Sequence, residues 1–451
     1  MITNTQLRKL GLFDARVPRY TSYPTSPHFS KDVGEACFVD WIGKIPVGGQ
    51  ISLYVHVPFC RRLCWFCACR TQGTKSDAPV RAYVETLKTE LAMLGRHLPE
   101  NVTLSRLHWG GGTPTLLPAD MMEELVQAIK AVVPFAANTE FSVEIDPNEI
   151  DGERLDVLAR AGMNRASIGV QDFNDDIQQT IGRIQGYDIT KWAADEIRAR
   201  GIKSLNADIL FGLPDQSRAR ITESVQKLLS LNPDRVALYG YAHVPWMAKR
   251  QQLIPSDRLP TPEERLELYD TARRLFMWDG YNEIGIDHFA TPQDGLSTAL
   301  AGGRLRRNFQ GYTDDTADVL IGVGASSISR FPQGFIQNAP ATSAHIAAIR
   351  DGRFSAAKGH VYRGEDRLRA RMIEQVMCEF RIDAAEMVSR FGIEKGALLD
   401  MFKATDRQFN GLLLVSDDGL FVPPEARPLT RMIARSFDSY ELSKAGHSSA
   451  I

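Results

Sequence analysis

Residues 50–69, with the sequence QISLYVHVPFCRRLCWFCAC, pass from an alternating stretch into a group of closely spaced cysteines. Every second residue from 51 to 57 is apolar, which predicts a β-strand with one face in a core. Cys60, Cys64 and Cys67 follow directly with C-x3-C-x2-C spacing. Three thiolates on one loop can hold three corners of a 4Fe–4S cluster and leave one iron open to a further ligand. The stretch therefore predicts an iron–sulfur site at the end of a strand.

Zinc is the alternative metal for this cysteine group. Structural zinc sites usually combine a C-x2-C pair with a second pair of Cys or His residues elsewhere in the chain. The sequence has no second pair, and the remaining cysteines Cys37 and Cys378 stand alone. Cys69 is conceivable as a fourth zinc ligand, but the spacing is cramped. The pattern favours iron–sulfur over zinc.

Outward from this stretch, predicted strands alternate with predicted helices. Further strands are expected near 104–109, 141–145, 166–171, 205–211, 236–241 and 283–287. Helices are expected near 79–95, 119–133, 152–161, 187–200, 218–230 and 262–279. Gly162, Gly201 and Gly280 each fit the left-handed position just past one of these helices. Strands and helices in series predict a parallel sheet with helices outside it.

About six such units predict an α/β fold, a partial (β/α)6 barrel extended by further strands. We expect an N-terminal arm over 1–45, a barrel domain over 46–355, a small, mostly helical C-terminal domain with a hairpin over 360–435, and a tail over 436–451. Ligands of such barrels gather at the carboxyl ends of the strands. The residues expected at that edge are His56 to Cys69, Gly110 to Thr113, Glu144, Gln171, Asp208 to Gly212 and Tyr239 to His243.

Composition and charge argue against several classes of function. The 451 residues include 53 Lys or Arg and 55 Asp or Glu, for a formal net charge of −2. A nearly neutral chain gives no bulk electrostatic reason to bind nucleic acid or an anionic membrane. No apolar run reaches the roughly 18 residues that a membrane span needs, and the start lacks the pattern of a signal peptide. We therefore expect a cytoplasmic monomer with no nucleic-acid or membrane partner.

Several motifs along the chain resemble one family. C-x3-C-x-F-C after YVHVPF resembles the radical S-adenosylmethionine (SAM) superfamily, and HWGGGTPT at 108–115 resembles its glycine-rich strand end. Together with PRYTSYPT, FSVEIDP, SIGVQDF, ADILFGLP, GIDHFA and RNFQGYT, these motifs resemble the oxygen-independent coproporphyrinogen III oxidases of that superfamily. The resemblance covers nearly the whole chain. One departure is Ala68, where the family commonly has glycine between its last two cysteines.

The resemblance implies a radical SAM catalytic domain with a 4Fe–4S cluster and two SAM molecules. The implied cluster ligands are Cys60, Cys64 and Cys67. The residues assigned to the first SAM molecule are Tyr54, Gly111, Glu144 and Ile328. Those assigned to the second are Phe66, Gly112, Thr113, Gln171, Arg183, Asp208 and Ala242. The residues with an expected catalytic role are Tyr54, Glu144 and Cys69, the last near the second cofactor or the electron path. The alternative for the charged residues is a set of ion pairs that closes the barrel mouth.

The resemblance also implies the reaction. A 5'-deoxyadenosyl radical would abstract a hydrogen from the carbon β to the ring on a propionate of coproporphyrinogen III. Loss of carbon dioxide and one electron would leave a vinyl group, and two such steps give protoporphyrinogen IX in haem biosynthesis. The implied partners are this substrate, an electron donor and an electron acceptor. The alternatives are a haem-trafficking chaperone on the same fold and another radical enzyme, such as a methyltransferase. Cys69 and NFQGYT favour the oxidase over the chaperone.

A substrate with four carboxylates requires cationic anchors although the chain as a whole is neutral. Arg304, Arg306 and Arg307 are candidates by charge, and Arg19 in the arm is a weaker one. The alternative for the three clustered arginines is a solvated basic turn. The arginine-rich stretch at 363–371 is interpreted as the solvated face of a helix.

Overall fold

The structure is a computed structural model that describes residues 2–441 and 449–450. The helices are α1 (Asn4–Lys9), α2 (Glu35–Gly43), α3 (Ala78–Gly95), α4 (Ala119–Val132), α5 (Gly152–Ala161), α6 (Asp175–Thr180), α7 (Tyr187–Ala199), α8 (Arg218–Leu229), α9 (Pro262–Trp278), α10 (Gly295–Ala301), α11 (Thr342–Arg350), α12 (Asp366–Glu379), α13 (Ala384–Phe391), α14 (Lys395–Gln408) and α15 (Thr430–Arg435). The strands are β1 (Gln50–Val57), β2 (Phe59–Cys60), β3 (Gln72–Gly73), β4 (Thr103–Gly111), β5 (Phe135–Ile145), β6 (Arg165–Gln171), β7 (Ser204–Phe211), β8 (Arg235–Gly240), β9 (Asn282–Ile284), β10 (His288–Ala290), β11 (Arg306–Asn308), β12 (Gly311–Thr313), β13 (Val319–Val323), β14 (Ile328–Phe331), β15 (Gly334–Asn338), β16 (Ala356–Val361), β17 (Arg381–Asp383), β18 (Leu414–Ser416) and β19 (Gly419–Phe421).

Six parallel strands form the centre of a 12-stranded sheet. They lie in the order β1-β4-β5-β6-β7-β8, and one or two helices connect each strand to the next. Neighbouring strands stay in parallel register, with Tyr54 opposite His108 and Glu144 opposite Ser167. The predicted alternation of strands and helices, and the partial (β/α)6 barrel, are confirmed.

Further strands extend both edges of the parallel sheet, as predicted. β13 pairs parallel with β1, and β14, β15 and β16 follow in antiparallel order. At the other edge, β10 pairs antiparallel with β8, and β9 pairs with β10. The single strand expected near 283–287 is therefore two short strands. Gly285 has a φ of 55°, and the chain turns there because glycine adopts this conformation without strain.

The outer face of the parallel sheet packs against the helices in one continuous core. Leu53 and Val55 of β1 and Leu87 of α3 are almost completely buried there. Tyr54 lies between the two apolar residues of β1, so its side chain points to the opposite face and into the barrel. The same alternation along each strand directs polar side chains toward the barrel interior, where a ligand site can form.

The N-terminal arm contains helices as well as extended chain. Phe38 and Trp41 of α2 pack into the barrel core, whereas Leu12 and Tyr20 pack with the C-terminal helices in a second core. The domain boundaries given above stay predictions. Of the predicted tail, residues 442–448 and 451 lie outside the described residues. Among the helices of the described part of the chain, none combines the length and the apolar character needed to cross a membrane.

Candidate active site

The closely spaced cysteines lie on the loop between β1 and α3. The short parallel pairing of β2 with β3 closes the base of this loop. Near its centre, the amide of Trp65 donates to the carbonyl of Ile181 at 2.9 Å. Gly182 lies against the indole of Trp65, and a Cβ at Gly182 would lie 2.7 Å from that ring. The loop is therefore held at its base and at its centre, and all four of its thiols are free.

The donors on this loop fit an iron–sulfur cluster. Nη1 of Arg183 lies 3.4 Å from Sγ of Cys64. A hydrogen bond from the Cys69 thiol, helped by the Cys69 amide and by Arg183, lowers the pKa of Cys67 to about 6. Burial raises the pKa of Cys60 to about 11. Iron binds the thiolate form of cysteine, and the basic surroundings of the loop favour that form at Cys67.

The grouping of the thiols distinguishes between a single metal ion and a cluster. Within residues 2–441 and 449–450, no three Cys, His, Asp or Glu side chains are grouped tightly enough to bind one metal ion. A single zinc ion needs its sulfur ligands about 2.3 Å from one point. Each cysteine of a 4Fe–4S cluster instead binds a different iron, so the cluster needs only three thiols around one volume.

The glycine-rich end of β4 passes close to the cysteine loop and to β1. Gly111 has a φ of 115°, and a Cβ on it would lie 2.6 Å from the ring of His56. A Cβ on Gly112 would lie 2.5 Å from the carbonyl oxygen of Phe59. Any larger residue at either position would displace the neighbouring strand or the base of the cysteine loop. The glycines therefore let backbone groups, rather than side chains, line this part of the barrel mouth.

Glu144 lies at the carboxyl end of β5 and faces the barrel interior. Its carboxylate accepts a hydrogen bond from the amide of Gly111 at 3.0 Å and lies 3.3 Å from Nε2 of His108. Burial acts to raise the pKa of Glu144, but His108 and Gly111 outweigh burial and keep that pKa below its usual value. Tyr54 stacks on His108 with the ring centroids 5.7 Å apart. An ionised carboxylate here suits an ammonium group or ribose hydroxyls.

A cavity of about 1070 Å³ opens at this end of the barrel. Its walls include five of the predicted site residues, Tyr54, Cys69, Gly111, Glu144 and Ile328. The arm contributes residues 20–23, and the segment 304–310 contributes another wall. The structure thus brings the residues assigned to the first SAM molecule together with Cys69 and with the predicted substrate anchors Arg304, Arg306 and Arg307.

The remaining predicted residues lie at neighbouring strand ends, outside the walls of this cavity. Nη2 of Arg183 donates to the carbonyl of Gly169 at 2.8 Å. Gln171 ends β6 with a φ of 71°, a conformation that is strained for a residue other than glycine. Burial raises the pKa of Asp208 to about 7, against a hydrogen bond from Asn206 and the charge of Arg183. Arg183 and Asp208 therefore share one buried environment beside the cysteine loop.

Gln251 connects two of the predicted site segments, and the sequence analysis missed it. It is fully buried. Its Nε2 donates to the carbonyls of Phe66 at 2.6 Å and Ala242 at 3.0 Å, and its Oε1 accepts from the amide of Val244 at 2.6 Å. One side chain therefore ties the cysteine loop to the segment after β8. No local signal could have found it, because glutamine in a polar stretch between two predicted elements is typical of a solvated loop.

Gln251→Leu is expected to loosen the cysteine loop. The change leaves two carbonyls and one amide buried without partners, at about 1–3 kcal/mol for each group. We expect the melting temperature to fall by at least about 5 °C, and less iron to be retained per chain after reconstitution. Thermal unfolding and iron analysis measure both effects. Gln252→Leu is the matched control, since Gln252 is exposed and should change neither quantity. Equal iron retention in the two variants would contradict the connecting role.

Among the four arginines proposed as substrate anchors, Arg307 has an unusual environment. Its side chain is 4% exposed, and its guanidinium lies over the ring of Tyr312 at 4.4 Å from the centroid. Nη2 lies 3.6 Å from the carboxylate of Asp287. Its Nε and Nη1 have no hydrogen-bond partner within the described residues. The solvated-turn interpretation is therefore wrong for Arg307, although Arg304 in the same segment is exposed.

Asp287 balances the positive charge around Arg307. Burial acts to raise the pKa of Asp287, but Arg307, His288 and Arg19 outweigh it and lower that pKa to about 2. Nδ1 of His288 lies 2.6 Å from the carboxylate. Arg19 reaches the same region from the arm, and its Nη2 donates to the carbonyl of Gly240 at 3.0 Å. Two cations and one carboxylate leave a net positive charge beside the cavity.

The interpretation of 363–371 as a solvated helix face is wrong for its C-terminal part. Arg371 is buried, and Arg367, Ala370 and Arg371 line the cavity. Arg371 is held by Glu386 at 2.7 Å. Arg367 and Arg371 are four residues apart and therefore lie on one face of α12. This spacing is the only sequence signal that could have indicated that the helix forms a wall of the cavity.

Comparisons with known proteins place the chain among enzymes of one type. The pattern of the Radical SAM superfamily matches residues 54–228. An oxygen-independent coproporphyrinogen III oxidase from Paracoccus denitrificans is 63% identical over 451 residues, with 100% of each chain covered. The protein of that name from Escherichia coli is 34% identical, with 95% of this chain and 94% of the relative covered.

A solved structure agrees with these relatives. It is coproporphyrinogen III oxidase (HemN) from Escherichia coli, described as a radical SAM enzyme. The TM-score is 0.90 at 32% identity, with 95% of this chain and 100% of that chain covered. A match of this quality over 95% of the chain confirms the predicted fold class. The chain belongs to the oxygen-independent coproporphyrinogen III oxidases of the radical SAM superfamily.

Proposed function

We propose that the protein is an oxidoreductase that decarboxylates two propionate side chains of coproporphyrinogen III to vinyl groups, without oxygen, in haem biosynthesis. The product is protoporphyrinogen IX. The 4Fe–4S cluster and SAM, when bound, supply the 5'-deoxyadenosyl radical that removes a hydrogen from the propionate. The protein's own residues bind and orient the two reactants and keep water out of the site.

The observation that carries this proposal is the composition of the cavity. Tyr54, Glu144 and Cys69 line the cavity next to the cysteine loop, and the basic residues Arg304, Arg306 and Arg307 line it as well. A guanidinium is the group best suited to bind a carboxylate, because its planar fork donates two parallel hydrogen bonds. A polycarboxylate substrate therefore fits between the basic wall and the wall that faces the cluster.

The proposed roles of the site residues follow from their surroundings. Cys60, Cys64 and Cys67 hold the cluster. Tyr54, Gly111, Glu144 and Ile328 take the first SAM molecule. Phe66, Gly112, Thr113, Gln171, Arg183, Asp208 and Ala242 take the second. Cys69 acts beside the second cofactor or in the path of electrons. It lines the cavity, whereas Cys60, Cys64 and Cys67 are not among the lining residues, which supports a role other than that of a fourth cluster ligand.

The proposed setting is the cytoplasm, with the protein acting as a monomer. An electron donor must reduce the cluster, and an acceptor must take the electron that each decarboxylation releases. The chaperone alternative needs no turnover, and the names of the relatives give it no support.

An anaerobic turnover assay tests the proposal. The reconstituted protein receives a reductant, SAM and coproporphyrinogen III, and the oxidised products are separated by mass. Loss of two carboxyl groups, with about two deoxyadenosines per product as two radical steps require, is the expected result. Deoxyadenosine without a decarboxylated porphyrin would reject the substrate. Tight haem binding with neither product would favour the chaperone.

A further inference from the structure

Glu90 is a residue with a buried carboxyl group on the outer helix α3, and the site described above does not use it. Its side chain is 3% exposed. Oε2 accepts a hydrogen bond from the amide of Gly324 at 2.8 Å, and Oε1 accepts one from Nδ2 of Asn338 at 2.9 Å. Nε2 of His345 lies 3.4 Å from Oε2. Burying a carboxyl group is unfavourable, and an apolar side chain would fill this position at a lower cost in free energy. The buried carboxyl group of Glu90 therefore indicates that its hydrogen bonds have a role.

The backbone that Glu90 holds continues into a wall of the cavity. Residues 324–327 follow β13, and Ser326, Ser327 and Ile328 line the cavity. Ser326 has a φ of 62°, and its Oγ lies 3.4 Å from Nε2 of His56. A non-glycine residue keeps this conformation only where its surroundings hold it. The shape of this wall therefore depends on groups that fix the loop from behind.

Tyr83 fixes the same loop from two turns earlier on α3. Its hydroxyl accepts a hydrogen bond from the amide of Ala325 at 2.8 Å and donates one to the carbonyl of His56 at 3.0 Å. Positions 83 and 90 are seven residues apart and lie on one helix face. The two side chains thus hold the consecutive amides of Gly324 and Ala325, and Tyr83 also links them to β1.

Gly324 permits this close approach. Its φ is 96°, and a Cβ would lie 2.6 Å from the Tyr83 hydroxyl and 2.7 Å from the carbonyl oxygen of His56. Nδ2 of Asn338 also donates to the carbonyl of Gly324 at 3.0 Å. Both backbone polar groups of Gly324 are therefore bound by buried side chains.

We propose that Glu90 and Tyr83 are positioning residues for the SAM site. From the outside of the barrel they hold residues 324–327 so that Ser326 and Ile328 form the wall that a bound SAM molecule contacts. This inference rests on the proposed function, which assigns Ile328 to SAM. It extends the binding machinery from the barrel interior to α3, a helix whose residues do not line the cavity.

Glu90→Gln tests the proposal. Glutamine carries one acceptor and one donor group, whereas Gly324 and Asn338 both present N–H groups. In either orientation of the amide, the NH2 group of glutamine therefore faces an N–H group of Gly324 or Asn338, and no hydrogen bond forms between the two donors. We expect the reconstituted variant to bind SAM about tenfold more weakly by equilibrium dialysis, with unchanged iron per chain. We also expect the amides of residues 324–326 to exchange hydrogen faster.

Tyr83→Phe is the second variant, and it should weaken SAM binding in the same direction because it frees the Ala325 amide. Glu85→Gln is the matched control on the same helix, since Glu85 is exposed and pairs with Lys88. Wild-type SAM affinity in both test variants would overturn the proposal. The proposal would also be overturned if the variants lost iron in parallel with a lower melting temperature while their folded fraction bound SAM as tightly as the wild type does. Absence of SAM binding by the wild-type protein would instead reject the proposed function.

Discussion

Cys64→Ser is expected to abolish decarboxylation, because the cysteine loop then offers two thiolates instead of three. A serine hydroxyl is not ionised near neutral pH and does not replace a thiolate as an iron ligand. Arg183, which lies 3.4 Å from Sγ of Cys64, would face a neutral oxygen instead of a thiolate. We expect product formation to fall at least about 1,000-fold, equivalent to about 4 kcal/mol. Iron and sulfide analysis measures how much cluster the variant holds, and the anaerobic turnover assay measures product formation.

Two other cysteines serve as comparisons for this experiment. Cys37 lies on α2, where it packs against the barrel core, so Cys37→Ser should keep both iron and activity. Cys69→Ser should keep the iron but lose turnover, because we place Cys69 beside the cluster rather than on it. A Cys69→Ser protein that fails to assemble the cluster would refute that role. A Cys64→Ser protein with full iron and sulfide would refute the ligand assignment.

Arg307→Met is expected to weaken substrate binding strongly. Arg307 lines the cavity, and its Nε and Nη1 groups are buried without a hydrogen-bond partner in the described part of the chain. A propionate carboxylate that reaches this guanidinium would form charge-assisted hydrogen bonds with it. We expect KM for coproporphyrinogen III to rise about 100-fold, equivalent to about 2.7 kcal/mol. Steady-state kinetics under anaerobic conditions measure the change.

The same substitution also affects stability through Asp287. The pKa of this carboxyl is about 2, chiefly because Arg307 outweighs the effect of burial. A carboxyl whose pKa is depressed in the folded state stabilises the protein above its unfolded pKa of about 3.9, and this stabilisation is lost as pH falls toward 2. Arg307→Met reduces that stabilisation, so the variant should unfold at a lower temperature than the wild type between pH 5 and pH 7.

A double variant separates binding from stability. Arg307→Met with Asp287→Asn also removes the buried carboxylate that has lost its arginine partner, so the melting temperature should recover toward that of the wild type while KM stays high. Arg350→Met is the matched control, because Arg350 is exposed on α11, away from the cavity walls, and should alter KM by less than about threefold. Recovery of substrate affinity in the double variant would show that Arg307 acts only on the fold.

Much of the barrel was predictable because its signals are local. The apolar alternation in β1, the glycine caps after three helices and the proline at the start of α9 each follow from backbone geometry within a few residues. The two short strands β9 and β10 were read as one strand, because a single glycine turn inside an apolar stretch leaves little trace in the pattern.

The cysteine loop was identified as a site element from its spacing, and the glycine-rich end of β4 from its place at a strand end and from the family resemblance. The long-range contacts that hold the site from outside were not identified from the sequence. Gln251 and Glu90 look like ordinary polar residues in a loop and on a helix, and nothing nearby in sequence shows that they bind Phe66 or Gly324. Their roles arise from pairs that are separated by more than 180 residues, which no local pattern encodes.

The amino-acid sequence alone therefore determined the class of fold, the iron–sulfur loop and the family resemblance, because periodicity, spacing and motifs are properties of neighbouring residues. Only the tertiary structure decided how deeply each basic residue of the cavity wall is buried. Arg304 and Arg307 have the same charge and lie three residues apart, yet one is exposed and the other lies buried against Tyr312 and Asp287. Burial and hydrogen-bond partners depend on how distant strands and helices pack, so they appear only when the chain is folded.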